Sequence, residues 1–389
     1  MDAYVVDAVR TVFGRNRGGL SRVRSDDLAA IPIRELVARR GIDPASIDDV
    51  VLGNTNGAGE ENRNLGRMAA LLADLPVTVP GLTVNRLCGS GSEAIVSAAR
   101  EVASGDATFV IAGGAESMSR APFVLQRPEE PFARTMELHQ TVVGWRMVNP
   151  RFRTEWTDPL GTCAERSAAR EGVSRAEQDD WALRSHALAD AAWNAGLHDD
   201  WVLPVEGVTR DESIRPDTSA EQLAALRPAF TPDGTVTAGN ASPINDGALA
   251  ALVTNAAGLA DLGVEPLGRI LASATVAVAP DDFAMAPVPA IREATRRAGV
   301  ELADLAVVEL QEAFAAVVLS CLKHLPELDR DRDRVNPHGG AIAYGHPLGA
   351  SGARLTVDLC RELRRRGGGI GALAVCIGVG LGQAIVVEV

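Results

Sequence analysis

Lysine is all but missing from this sequence: Lys323 is the only one among 38 basic residues, and 51 acidic residues bring the formal charge to −13. No basic stripe marks a nucleic-acid protein, and an anionic ligand has to be met by a local arginine pocket. Aromatic residues make up only 4% of the chain. Cysteines stand at 88, 163, 321, 360 and 376. This odd set lacks the CxxC spacing of a zinc site, which argues against both a structural metal and a disulfide framework. No apolar stretch reaches the roughly 20 residues that span a bilayer, the longest glycine-rich one running from Ile370 to Gly382. The start, Met1, Asp2, Ala3, Tyr4, has an acid where a signal peptide carries positive charge, so a cytoplasmic protein without membrane contact is expected.

What the chain does have is Ala, Val and Leu interrupted by 38 glycines, a composition suited to close helix-to-strand packing in an α/β protein. Its 389 residues predict two or three packed units. A weak internal repeat shows how they are arranged. Slid by 258 positions, Gly41 meets Gly299, the stretch from Gly41 to Leu52 lies over Gly299 to Leu310 with Arg40 and Arg297 just before the two copies, and Cys88 meets His346. In each copy a strand-like segment ends in a polar, glycine-rich turn, followed by a small-residue helix (Ser92 to Val102, Gly352 to Arg366). Each helix leads to an apolar strand ending in glycines (Ala107 to Gly114, Ile370 to Gly380). The pattern predicts two similar α/β halves with mixed, mostly parallel sheets about a pseudo-twofold axis, with the two turns facing each other. Between them, Ser119 to about Ala250 differs in texture and holds one clear helix, opened by a Ser174–Glu177 capping box and ending near Gly196. It reads as an inserted loop domain over the site. The expected division is 1–118 with about 240–262, then 119–239, then 263–389.

Three glycine-rich turns carry reactive side chains. Cys88, in Asn85 to Gly91, precedes a helix whose N–H groups and dipole are expected to lower the thiol pKa; a buried inert cysteine is the plain alternative. His346, in Gly345 to Gly352, holds the repeat position opposite Cys88 and can take its proton, although a lone histidine is usually structural. Cys376 ends an apolar strand before Gly378, Gly380 and Gly382, where a substrate can approach backbone donors and a second cysteine can act as acid or base on carbon. Gln311, before Glu312, Ala313 and Phe314, offers an amide to hold a water against a thioester oxygen; the plain reading is a helix start. Cys321 and Cys360 read as core, and Cys163 receives no role.

On Asn85 to Gly91, Ala238 to Gly247, Gly345 to Gly352 and Cys376 to Gly382, the chain resembles the thiolase family essentially from end to end. The resemblance implies a duplicated αβαβα fold with mixed sheets and an inserted loop domain. It also implies reversible CoA-dependent cleavage of a 3-oxoacyl-CoA, with CoA and acetyl-CoA as substrates and no permanently bound cofactor or metal. By the same resemblance Cys88 takes up the acyl group, His346 activates it and donates to the thioester oxygen, and Cys376 moves the α-proton. The N–H groups of Cys88 and Gly378 form an oxyanion hole. Ser242 contacts the pantetheine arm, while Arg215, Leu226, Ala229, Phe230, Ala313 and Phe314 line the CoA groove. A homodimer or homotetramer is implied.

Gln311 stands where the family usually carries Asn or His, Val379 where a glycine is common, and Pro159 and Leu160 where His-Met is usual. Gly59 to Asn64 and Val143 to Arg146 look like thiolases acting on 3-oxoadipyl-CoA, with Arg63 and Arg146 as candidate cations for a dicarboxylate tail. The alternatives are an acetoacetyl-CoA-specific enzyme, a ketoacyl synthase, against which Cys376 speaks, and an acyl-CoA-binding relative without catalysis, for which only Gln311 speaks.

Overall fold

A computed structural model describes all 389 residues. The first half runs β1 (Tyr4–Thr11), β2 (Gly14–Arg15), α1 (Ser25–Arg40), β3 (Asp49–Gly53), α2 (Leu65–Leu72), β4 (Leu82–Val84), α3 (Ser90–Ser104) and β5 (Phe109–Ser117). An inserted stretch follows with β6 (Phe123–Leu125), β7 (Leu138–Gln140), α4 (Leu160–Glu171), α5 (Arg175–Asn194), β8 (Val202–Leu203) and α6 (Ala220–Ala224). The chain then returns through β9 (Asn245–Thr254) and α7 (Ala256–Leu262). The second half comprises β10 (Gly268–Ala277), α8 (Pro287–Ala298), β11 (Val307–Leu310), α9 (Ala315–Lys323), α10 (Pro326–Asp329), α11 (Ala341–Tyr344), α12 (Leu348–Arg365), β12 (Ile370–Ile377) and β13 (Leu381–Glu388).

The halves are built alike, as the repeat implies. Gly41 and Gly299 both close a helix, α1 and α8, in the left-handed conformation that glycine adopts without a steric penalty. The strands run β11-β12-β13-β10-β1-β9-β5-β3-β4, so that the two half-sheets join through the β1–β10 pair. One apolar cluster lies between the half-sheets, where α3 and α12 bring in Ala94, Ile95, Ala353 and Leu355; two more fill the outer layers against α1 and α2 and against α8 and α9. The result is the layered αβαβα arrangement.

The sheets are mixed, but antiparallel ladders outnumber parallel ones, which corrects the mostly parallel expectation. The reason lies in the connections. Strands β12 and β13 are joined only by Gly378, Val379 and Gly380, too short for the crossover that parallel strands need. In the first half the long insertion lets β9 return between β1 and β5, antiparallel to both. The insertion is also tied to the sheet, because β8 pairs with β1 and the buried Arg10–Asp211 ion pair closes at 2.7 Å. The capping box at Ser174 and Glu177 is present at the start of α5. No helix is long and apolar enough to cross a membrane.

Candidate active site

The turn that carries Cys88 is braced and strained. Ser90 Oγ donates to Leu87 O at 2.6 Å and accepts from the Arg86 N–H at 2.9 Å, while Leu87 itself is held at φ 48°. A leucine in that left-handed region costs free energy that the surrounding bonds must offset. The backbone N–H groups of Gly378 and of Cys88 itself lie near the Cys88 sulfur. These donors favour a thiolate, but burial disfavours it more strongly and Glu116 adds repulsion, so the thiol is pushed up to about 11. This overturns the expectation of a lowered pKa: Cys88 is 7% exposed, and the site rests as a neutral thiol that needs a base.

That base is positioned from the other half. Gly345, at φ 105°, turns the chain so that the His346 N–H donates to Asn245 Oδ1 at 3.0 Å, and Asn245 is anchored in turn by donating to Gly14 O and Ser213 Oγ. His346 Nδ1 lies 2.7 Å from Ser351 Oγ and 2.9 Å from Gln311 Nε2. Nε2 is buried and has no partner. Burial, with Arg354 adding repulsion, pushes the imidazole down to about 3, so it rests neutral. Gln311 is therefore engaged with the ring rather than free to hold a water by its nitrogen, and its Oε1 is left unpartnered.

Cys376, 1% exposed on β12, has its sulfur near the Ala313 N–H; burial raises its pKa well above the usual thiol value, with Cys88 adding to the rise. The segment from Gln311 to Phe314 is fixed by Glu312. This wholly buried carboxylate accepts from Trp181 Nε1 (2.9 Å), Ser185 Oγ (2.7 Å), Asn336 Nδ2 (3.0 Å) and the Ile342 N–H (3.2 Å). Gly378 occupies a crowded turn, since a Cβ there would stand 3.1 Å from the Trp145 ring and 3.3 Å from Leu87. Val379, at φ 58°, shapes this turn.

Beside this centre the expected groove residues converge. Ser242 N–H donates to Ala313 O at 2.9 Å, Ala241 bridges to Phe314, and the Phe314 and Phe230 rings meet edge to face at 5.8 Å. Phe230 and Leu226 remain 40% and 38% exposed, an apolar wall open to solvent. The Ala229 N–H donates to Val236 O at 2.9 Å on the same lobe. Arg215 stands further out, exposed on the loop before α6 and beside His186. Arg146 follows the Trp145 whose ring faces Gly378, and both Arg146 and Arg63 are exposed. Cys321 and Cys360 are buried in helices, as core residues should be, and Cys163 packs in the outer cluster of the second half. Sequence reasoning gave no part to Asn245, Glu312 or Glu116, because their partners lie far away along the chain, nor to Ser351, which reaches His346 five residues back only through the first turn of α12.

Two family models match the chain, "Thiolase, N-terminal domain" over residues 3–257 and "Thiolase, C-terminal domain" over residues 264–389. The chain belongs to the thiolase family. A beta-ketoadipyl-CoA thiolase of Pseudomonas knackmussii is 47% identical over 100% of this chain and 99% of its own length. An Escherichia coli thiolase described as acting on 3-oxoadipyl-CoA and 3-oxo-5,6-dehydrosuberyl-CoA is 47% identical with the same coverage. Among solved thiolase-family structures, Bacillus anthracis acetyl-CoA acetyltransferase superposes with a TM-score of 0.92 at 37% identity, covering 100% of this chain and 98% of its own. Human mitochondrial 3-ketoacyl-CoA thiolase in complex with CoA gives a TM-score of 0.92 at 36% identity, covering 99% and 97%. The activity of this chain is accordingly that of a thiolase, an acyltransferase that uses CoA and acetyl-CoA as substrates.

Proposed function

We propose that this thiolase cleaves 3-oxoadipyl-CoA with CoA, or runs the reverse condensation, through an acyl-enzyme on Cys88. The Cys88 and Gly378 N–H groups near one buried sulfur, with a neutral histidine whose Nε2 is free at the equivalent turn of the other half, carry the mechanistic reading. As the sulfur bonds to the 3-oxo carbon, its proton passes to His346 Nε2 and the carbonyl oxygen takes the electron pair, held by the two N–H groups. The C2–C3 bond then breaks and leaves its pair on the acetyl-CoA fragment. His346 Nε2–H donates to the thioester oxygen, and the Cys376 thiol protonates C2. In the second half the incoming CoA gives its proton to Cys376 and attacks the acyl group, while His346 returns a proton to Cys88.

Ser242, Leu226, Ala229, Phe230, Ala313 and Phe314 form the wall for the pantetheine arm in this reading, and Arg215 supplies a cation for the nucleotide phosphates. The dicarboxylate tail is assigned to Arg146, beside the Trp145 that covers Gly378, with Arg63 as the second candidate. Support for this acyl chain comes from the Pseudomonas knackmussii and Escherichia coli thiolases described as acting on it, each 47% identical to this chain. We retain the division into 1–118 with about 240–262, 119–239 and 263–389, supported by the return of β9 into the first half-sheet. A cytoplasmic location and a homodimer or homotetramer complete the reading. The assembly is supported by the hairpin β6–β7, which holds Phe123 and Leu138 out at 68% and 61% exposure and is too small to be stable uncovered.

The test is CoA-dependent cleavage of 3-oxoadipyl-CoA and acetoacetyl-CoA by wild type, Cys88→Ala and Arg146→Ala. Cleavage should vanish in the first variant, and in the second the preference for 3-oxoadipyl-CoA should fall. Equal turnover of the two substrates by wild type rejects the proposed acyl chain.

A further inference from the structure

Two groups compete for one ring nitrogen. His346 Nδ1 is 2.7 Å from Ser351 Oγ and 2.9 Å from the carboxamide of Gln311. Ser351 has a single hydroxyl proton, and the Pro347 carbonyl, 2.8 Å away, takes it. Toward Nδ1 the hydroxyl then presents a lone pair, so the short contact is satisfied only when Nδ1 carries the ring proton. An amide nitrogen at the same place would set N–H against N–H. A carboxamide can turn end for end with little change in shape, exchanging Nε2 for Oε1. The turned amide accepts the Nδ1–H, and the buried Oε1, otherwise unpartnered, gains its hydrogen bond. With the proton on Nδ1, Nε2 is a bare lone pair, the state required to take the Cys88 proton.

We propose that Gln311 is the positioning residue of His346: its carboxamide oxygen, with Ser351, keeps the ring proton on Nδ1 and Nε2 free as the base. The inference rests on the reading of His346 as the base for Cys88. It assigns Gln311 a role that acts through the imidazole and requires no water. Glutamine has the reach for this contact, and Glu312, bound by donors from several elements, holds its backbone in place.

The test uses the intact enzyme with histidine selectively labelled with 15N, the His346 signal being assigned from a His346→Asn variant. Wild type should show Nδ1 protonated and Nε2 bare. Gln311→Met, which keeps the length and removes the acceptor, should slow alkylation of Cys88 by iodoacetamide about tenfold or more, with the KM for CoA unchanged. Gln311→Glu, which can only accept, should restore much of that rate and move the acid limb of the pH–rate profile to higher pH, because a carboxylate stabilises the imidazolium. A wild-type ring protonated on Nε2 overturns the proposal. So does a folded Gln311→Met enzyme with unchanged alkylation rate and pH profile. Failure of the underlying reading is a different result: wild type in which His346→Asn leaves Cys88 alkylation unaltered.

Discussion

Gly91 and Gly349 occupy equivalent positions in the two halves and lie against each other: a Cβ on Gly91 would stand 2.6 Å from the Gly349 carbonyl oxygen. They sit at the starts of α3 and α12, the helices that follow Cys88 and His346. The absent side chain at Gly91 therefore sets how closely α3 and α12 approach, while a Cβ on Gly349 would meet the Ala115 and Gly53 carbonyl oxygens of β5 and β3. Gly91→Ala should force the helices apart, because backbone rather than a flexible side chain blocks the added methyl. A loss of about 1–3 kcal/mol is expected, with a fall in kcat larger than the stability change alone explains. Urea midpoints and steady-state rates check this, and an alanine variant with wild-type values for both contradicts it.

Glu116 links the two halves electrostatically. Its Oε2 accepts from the Thr55 N–H on one side and from the Gly349 N–H, at the start of α12, on the other, both at 3.0 Å. Burial nevertheless dominates these bonds and raises the carboxyl to about 7. The folded state thus binds a proton more tightly than the unfolded chain, whose carboxyl titrates near 4.5. The contribution of Glu116 is fully present below about pH 4.5 and is lost as pH rises through 7, a span worth about 3 kcal/mol. Glu116→Gln should therefore flatten the decline in stability between pH 5 and pH 8, as read from urea titrations at the two pH values. Parallel decline in variant and wild type would falsify the assignment.

Much of this was legible in the sequence, for reasons that particular residues make plain. Cys88 and His346 lie at one offset in a duplicated chain, so the repeat itself placed them in facing turns. Gly41 and Gly299 were legible as a repeated pair, and the structure makes each of them a helix end in the left-handed conformation that suits glycine. Strand direction was not legible: the helix-bearing repeat suggested crossovers, but the short Gly378 to Gly380 link and the late return of β9 make the sheet mainly antiparallel. The pKa of Cys88 was misjudged because helix donors can be read from a turn, whereas burial depends on the whole fold. Glu312 showed only as part of a motif, since its partners Trp181, Ser185 and Asn336 come from distant segments.

Val379 is a β-branched residue at φ 58°, in the turn that aims the Gly378 N–H at Cys88. Glycine tolerates that backbone without a clash, although it also gains more freedom on unfolding. Val379→Gly should therefore stabilise the chain by a net of about 1 kcal/mol. It should also lower kcat severalfold, because the strained turn no longer holds its donor in one direction. Thermal midpoints together with single-turnover acylation rates test the pair of effects; a variant both less stable and fully active speaks against a strained, aiming turn.

The two buried cysteines have separable tasks, and the separation can be measured without a C–C bond being made or broken. Acetyl-CoA can acylate Cys88 without any group acting on carbon: in the absence of Cys376 the proton that Cys88 gives to His346 can pass on to the departing CoA thiolate, so the step moves protons only between sulfur and nitrogen. Exchange of the acetyl-CoA α-proton needs a group that acts on carbon, the task assigned to Cys376, whose raised pKa keeps a proton available to return to the enolate. Cys376→Ala should thus still gain one acetyl group by intact-protein mass spectrometry, while losing solvent deuterium exchange into acetyl-CoA by a factor of about a hundred or more. Cys88→Ala should not be acetylated on the same time scale. If Cys376→Ala exchanges deuterium at the wild-type rate, another group near the substrate carbon does the work, and His346, which already contacts the thioester oxygen in this mechanism, becomes the residue to vary next.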